Sequence, residues 1–243
     1  MLLLIDAGNT SIKWALVEHG AAPGVWAASG ALAHDDLAPG TWAGHASGAA
    51  LISNVAGAAL RARLELALPT GLQQTRWFAS QPQLAGLKNG YRNPFQLGCD
   101  RFAAAIGARA LAPGRALIVA TCGTATTIDA ISPDGVFVGG MILPGLGLMA
   151  SSLARNTAQL PQIAQDGKLP DGFADNTDDA ILSGCLAAQA GAIERACAAH
   201  GAALCLLSGG AAAFIAPGLT LPYRLVDNIV LIGLHAAASA SGD

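Results

Sequence analysis

Charge is scarce in this sequence. Only 12% of its 243 residues are Asp, Glu, Lys or Arg, and the formal net charge is −3. No basic field therefore exists to attract nucleic acid or an anionic membrane surface. The Lys and Arg residues are scattered rather than clustered, so any anionic ligand must be held by local donors. A C-x-x-C pair is also missing. Cys99, Cys122, Cys185, Cys197 and Cys205 lie singly in apolar or helical surroundings and read as buried thiols of a reducing cytosol. No apolar run approaches the roughly eighteen residues that would span a bilayer. Asp6 interrupts the N-terminal apolar run Leu2-Leu3-Leu4-Ile5, which argues against a secretory signal. These absences predict a soluble, cytoplasmic protein with neither nucleic acid nor membrane as partner. What the chain does have is 53% hydrophobic residues and 30 glycines, which excludes global disorder and allows one large domain or two modest ones.

The most informative stretch is Leu2-Leu3-Leu4-Ile5-Asp6-Ala7-Gly8-Asn9-Thr10, followed at once by Ser11-Ile12-Lys13-Trp14-Ala15-Leu16-Val17. Two short apolar runs flank a polar turn, the pattern of a hairpin with chemistry at its tip. Gly8 leaves room for a ligand. Asn9, Thr10 and Ser11 bring amide, hydroxyl and backbone N–H donors suited to phosphate oxygens, and Asp6 can hold a hydrated divalent cation against them. An ordinary β-turn has the same composition, so recurrence is the better argument. Ala116-Leu117-Ile118-Val119-Ala120, the turn Thr121-Cys122-Gly123-Thr124-Ala125-Thr126 and the strand Thr127-Ile128-Asp129-Ala130-Ile131 repeat the layout about half the chain later. An internal duplication follows, with two phosphate-facing hairpins and a cleft between two like domains.

Periodicity predicts further strands over 25–29, 50–53, 75–78, 136–140 and 204–207. Helices are predicted around 35–37 and over 58–68, 100–111, 148–155, 177–200 and 229–240. Residues 81–98 and 161–175 read as loops, the first too long to be a mere connector. Pro113-Gly114 breaks the chain, dividing it into domains 1–113 and 114–243. Ser208-Gly209-Gly210 is a turn whose backbone can lie flat against a planar ligand. His34, His45, His200 and His235 show no ligand spacing and read as surface or packing residues. The apolar residues of 141–153 read as core or dimer contact.

Four motifs together resemble a type III pantothenate kinase. They are Asp6-Ala7-Gly8-Asn9-Thr10 with Lys13; Tyr91-x-Asn93-Pro94-x-Gln96-Leu97-Gly98-x-Asp100-Arg101; Gly123-Thr124-Ala125-Thr126-Thr127; and Gly139-Gly140 through Gly145. The resemblance extends from Met1 to near Gly233, and Gly98-x-Asp100-Arg101 with its lead is the most specific part. It implies an α/β fold of two duplicated actin-like (ribonuclease H-like) domains with mixed sheets flanked by helices, a homodimer, and use of ATP with Mg2+ or another divalent cation. The implied reaction is phosphorylation of pantothenate, the first step toward coenzyme A. A nucleotide-binding regulatory protein of the same fold, or a kinase of another small alcohol, remains open as an alternative.

The resemblance also assigns roles. Asp6, Ala7, Gly8, Asn9, Thr10, Ser11, Ile12 and Lys13 would bind the ATP phosphates and, through Asp6, the divalent ion. Thr124 would contact the phosphates from the second domain, and Gly209 and Gly210 the adenosine. Tyr91, Gly98, Cys99 and Arg101 would contact pantothenate, Asp100 would be the general base, and Thr177 would reach pantothenate from the partner subunit. Thr121 stands where the family usually carries a potassium-ligating aspartate. A hydroxyl coordinates K+ or NH4+ without supplying charge, so the need for a monovalent cation is left open. From the residues themselves, an aspartate opening a helix can equally be an N-cap. The dipole and Arg101 are expected to lower the Asp100 pKa and keep it ionised. Tyr91 can equally be a half-buried loop aromatic and Thr177 a helix N-cap, while for Lys13 an exposed strand lysine is the lesser alternative.

Overall fold

A computed structural model describes residues 1–44, 48–156 and 172–240. In chain order the elements are β1 (Leu2–Ala7), β2 (Ser11–Val17), β3 (Ala28–Ala33), β4 (Ala49–Asn54), α1 (Gly57–Ala67), β5 (Gln74–Trp77), β6 (Gln83–Leu84), β7 (Leu87–Asn89) and α2 (Cys99–Leu111). There follow β8 (Leu117–Cys122), β9 (Ala125–Ile131), β10 (Val136–Pro144), α3 (Leu146–Asn156), α4 (Thr177–His200), β11 (Leu204–Ser208), α5 (Ala212–Ile215), β12 (Tyr223–Leu225) and α6 (Ile229–Ala240). The chain divides into two compact units. It leaves unit 1 at Gly114, returns over Asp134–Val138, and ends in it from Asn228 onward; the remainder is unit 2.

Unit 1 holds a mixed sheet of order β3-β2-β1-β4-β5. β1 pairs antiparallel with β2 and parallel with β4, so the polar residues Lys13, Asp6 and Ser53 stand side by side at one height. Alternation sends Leu3, Ile5 and Ala7 to the opposite face, where they pack with Ile52, Leu60, Leu64 and Trp42. Leu60, Leu64 and Ala67 form the buried stripe of α1. α2 crosses α6 at two glycines. A Cβ on Gly107 would come within 2.5 Å of the Ile229 carbonyl oxygen, and one on Gly233 would overlap the Ala103 carbonyl, so only glycine permits backbone approach this close.

The second sheet has seven strands, β12-β11-β8-β9-β10-β7-β6, and its first five repeat the order, with β8 antiparallel to β9 and parallel to β11. This is the duplication that the two turns predicted. Ile118, Ala120, Cys122, Ile128, Cys205 and Leu207 pack beneath Ala190, Ile193 and Cys197 of α4. α4 is one continuous helix that stops at Gly201, a left-handed C-cap with φ 62°.

Three expectations need correction. The strand predicted over 25–29 lies later, as β3, because pairing with β2 and not apolar content defines it: Ser11↔Ala33 and Leu16↔Ala28 fix its register. The helix around 35–37 is only a hydrogen-bonded turn, closed by Leu37 N–H to His34 O at 3.1 Å. The 81–98 loop contains β6, β7 and a single 3-10 turn at Pro94–Gln96, with β7 paired parallel to Val136 and Phe137 of β10. Of the predicted 161–175 loop, residues up to 171 lie outside the described residues, as does His45.

Candidate active site

The first hairpin forms as its sequence requires. Gly8 N–H donates to Ser11 O at 3.1 Å, leaving Asn9 and Thr10 exposed at the tip. Asp6 lies near the end of β1 on the face opposite Leu3, Ile5 and Ala7, with Lys13 beside it in register. Burial pushes the Asp6 carboxyl up to about 7; the negative charge of Asp100 adds to the rise and Lys13 opposes it. Two carboxyl groups therefore share this corner and are electrostatically coupled.

Asp100 lies in the first turn of α2, whose N-cap is Gly98. It is not the cap, which removes that alternative. Its Oδ1 accepts from Arg101 N–H at 2.8 Å, and a Cβ at residue 98 would come within 2.7 Å of the same oxygen. The expected lowering of its pKa is overturned. Burial raises it, outweighing both the backbone N–H and the guanidinium of Arg101.

Arg101 is buried, and its Nη1 donates to the Tyr91 hydroxyl at 2.9 Å. Its guanidinium carbon lies 5.7 Å from the Tyr91 ring centre and 5.8 Å from that of Phe137, while those two rings meet edge-on at 5.6 Å. Tyr91 is thus a half-buried aromatic that also holds Arg101 in place. Buried Asn89 ties the loop together, accepting from Tyr91 N–H at 3.1 Å and donating to Pro94 O at 3.0 Å.

Cys99 departs from the expectation of five buried thiols, being half-buried; the other four are buried and all are unpaired with one another as disulfides. Its Sγ meets the hydroxyl of buried Ser53 at 3.4 Å and reaches Asn54 O at 3.7 Å. Burial pushes this thiol up, with the Ser53 hydroxyl opposing. The contact joins the row Lys13–Asp6–Ser53 to the start of α2. Unit 1 thereby gathers Asp6, Lys13, Tyr91, Gly98, Cys99, Asp100 and Arg101.

In unit 2 the Gly123-Thr124 turn is closed by Gly123 N–H to Ala125 O at 3.0 Å, and Thr124 O accepts from Gly145 N–H at 2.9 Å. Ala211 N–H donates to Cys122 O at 3.0 Å, which brings Gly209 and Gly210 alongside this turn. Gly209 has φ +95°, and a Cβ there would collide with the Cys122 backbone. Thr121 is level with Thr127 and Ser208 on the neighbouring strands, so three hydroxyls share one face. The buried Thr127 Oγ1 has no partner among the described atoms. Thr177 is exposed at the start of α4, where Asn176, not Thr177, caps the helix by accepting from Asp179 N–H at 3.0 Å.

A family model of type III pantothenate kinases matches residues 2–199. Over 253 aligned residues the chain is 58% identical to the type III pantothenate kinase of Janthinobacterium sp. (strain Marseille), covering 98% of this chain and 97% of that one. The chain belongs to the type III pantothenate kinase family. A second member, from Herminiimonas arsenicoxydans, is 57% identical over 251 residues, with the same coverage of both chains. Solved structures carry the fold beyond the family. A chain from Campylobacter jejuni named as a conserved Baf family transcriptional activator has a TM-score of 0.66 at 20% identity over 99% of this chain and 98% of that one. An activator of 2-hydroxyisocaproyl-CoA dehydratase from Clostridium difficile, solved with ADPNP, scores 0.52 at 12% identity over 98% and 93%. These likenesses show the fold alone, an α/β fold of two mixed sheets with helices, in keeping with the actin-like, ribonuclease H-like expectation.

Among the described residues no group of three or more His, Cys, Asp or Glu could cage a metal ion. A lone carboxylate fits a divalent cation that keeps most of its ligands as water and substrate phosphate. Sequence reasoning missed Ser53 and Asn89, both buried. Ser53 was detectable only as the small polar residue ending the apolar run Ala50-Leu51-Ile52. Asn89 carried no signal. A groove of about 350 Å3 lined by Trp77, Phe78, Ser80 and Phe95 among others contains none of the expected site residues.

Proposed function

We propose that the chain catalyses transfer of the γ-phosphoryl group of ATP to the primary hydroxyl of pantothenate, with Asp100 as general base. The observation that carries this reading is the Asp100 carboxylate, set at the start of α2 beside both the Asp6 turn and the Tyr91-held guanidinium of Arg101. In the step, the hydroxyl O–H bond breaks and its proton passes to Asp100. The oxygen bonds to phosphorus while the bond from phosphorus to the ADP oxygen breaks. A carboxylate whose pKa is raised is a better base than an ordinary one, and it lies nearer the working pH. Arg101 presents a fork suited to the carboxylate of pantothenate.

The Asn9-Thr10 tip and Lys13 bind phosphate oxygens in this reading, and Thr124 with Gly209 and Gly210 forms the nucleotide-binding edge of unit 2. A divalent ion held through Asp6 would neutralise charge on the phosphates. The Thr121, Thr127 and Ser208 hydroxyls fit a monovalent cation as neutral oxygen donors, and the unpartnered Thr127 Oγ1 supports that assignment. We further propose a homodimer, supported by the exposed apolar side chains Met141, Ile142, Leu148 and Leu153, with Thr177 acting across it. We also propose a cytoplasmic location. Within the described residues no helix is long and apolar enough to cross a membrane.

The test is incubation of purified protein with ATP, Mg2+ and pantothenate, with and without K+, and mass spectrometry for phosphopantothenate. Product formation is expected. ATP binding without product from an intact protein would leave only nucleotide binding, and product from another alcohol alone would redirect the substrate.

A further inference from the structure

His34 touches the first phosphate turn. It follows directly on β3, whose last residue Ala33 is level with Ser11, the residue that leaves the turn. Its Nε2 lies 2.9 Å from the carbonyl oxygen of Gly8. That distance is a full hydrogen bond, and against a carbonyl the ring nitrogen must be the donor. The segment carrying His34 is itself held: Arg63 Nη2 of α1 donates to His34 O at 2.6 Å and to Leu37 O at 3.2 Å. The imidazole therefore reaches the turn from a clamped base.

We propose that His34 is a positioning residue that orients the peptide between Gly8 and Asn9 for phosphate binding. A trans peptide is planar, with its C=O and N–H pointing in opposite directions. Fixing the Gly8 carbonyl toward His34 therefore aims the Asn9 N–H the other way, out of the exposed tip. The Gly8 N–H is used by Ser11 O, so the Asn9 N–H is the donor this anchor leaves for a ligand. Among the described residues it makes no hydrogen bond. With no anchor, this peptide can rotate at the tip, and the phosphate must then bear the cost of ordering it. The inference rests on the phosphate role proposed for the turn.

The experiment compares wild type, His34→Leu and His34→Gln in the full-length chain. It measures equilibrium binding of Mg2+ with a non-hydrolysable ATP analogue, KM for ATP and for pantothenate, and thermal midpoint. Gln places an amide N–H at the same number of bonds from Cβ as the imidazole Nε2. His34→Leu is expected to weaken analogue binding and raise KM for ATP about three- to tenfold, the worth of one hydrogen bond, with KM for pantothenate unchanged. His34→Gln is expected to restore both ATP parameters. Unchanged analogue binding in a folded His34→Leu overturns the proposal, as does an equal rise in both KM values or a failure of Gln to restore. Should His34→Leu not fold, His34→Gln is set against His34→Asn, whose amide is one bond short; equal affinities would overturn the assignment. Analogue binding is read without turnover, so a wild type that binds it but makes no phosphopantothenate refutes the functional reading and leaves the His34 test intact.

Discussion

Two opposed effects meet at Asp100, where burial raises the pKa and Arg101 lowers it, and burial wins. Removing the base while keeping the shape separates chemistry from binding. Asp100→Asn is expected to cut kcat about a hundredfold or more with ATP-analogue affinity nearly intact, and near-normal turnover would remove Asp100 as the base. Asp6 gives a second test, of stability. Burial holds its folded pKa at about 7, above the ordinary carboxylate range, so its stabilising contribution is full below the unfolded pKa and is lost as pH rises through about 7. Ligand-free Asp6→Asn is therefore expected to melt higher than wild type at pH 8 and to flatten the pH dependence between the two values, while losing activity. Thermal melts across pH without nucleotide check this. The identities of Asp6 and Asp100 were legible because each stands in a short motif. Their raised pKa values were not, because burial is set by Ser53, α2 and each other, far apart in sequence. The contact of His34 with Gly8 spans 26 residues, beyond any spacing rule, which is why a histidine read as surface or packing turned out to lie on the turn.

At the scale of elements, α2 matters because it carries Asp100 and Arg101 at its mouth. Its seat is the crossing with α6, where Gly107 and Gly233 bring the two backbones together. Gly233→Ala is expected to destabilise by about 1–3 kcal/mol, the usual cost of overpacking. Turnover at permissive temperature should fall as well, because the mouth of α2 shifts. A melting point equal to wild type would show that the crossing can relax. The helices with a clear apolar stripe or a strong stop, α1 and α4, were legible to within a residue or two. The strands β3, β6 and β7 were not, because β3 is mostly Ala, Ser and Gly and β6 and β7 are only two and three residues long, so their extended form comes from partners. Strand propensity measures fit to such neighbours, and a sequence read alone does not supply them.

For the whole molecule, the two similar turns foretold a repeated sheet, and five strands of the seven-stranded second sheet repeat the order of the five-stranded first. The sequence did not reveal that the last helix closes on the first unit. That depends on two glycines 126 positions apart whose role appears only when α2 meets α6. Quaternary structure was inferred by resemblance, and the structure adds a physical reason to test it. Ile142 is 65% exposed and Met141 46% on β10, with Leu148 and Leu153 of α3 exposed in the same stretch of chain. Exposed large apolar side chains such as these mark a candidate covered face. Placing a charge there leaves the monomer's core untouched but must be desolvated if a second copy covers it. Ile142→Glu is accordingly expected to keep its helix content and shift from dimer to monomer in light scattering. It should also lose pantothenate turnover, since Thr177 is proposed to act from the partner subunit, and Thr177→Ala in an intact dimer should raise KM for pantothenate. A dimer that persists with Glu at 142 would place the interface elsewhere, and a fully active monomer would remove Thr177 from the site.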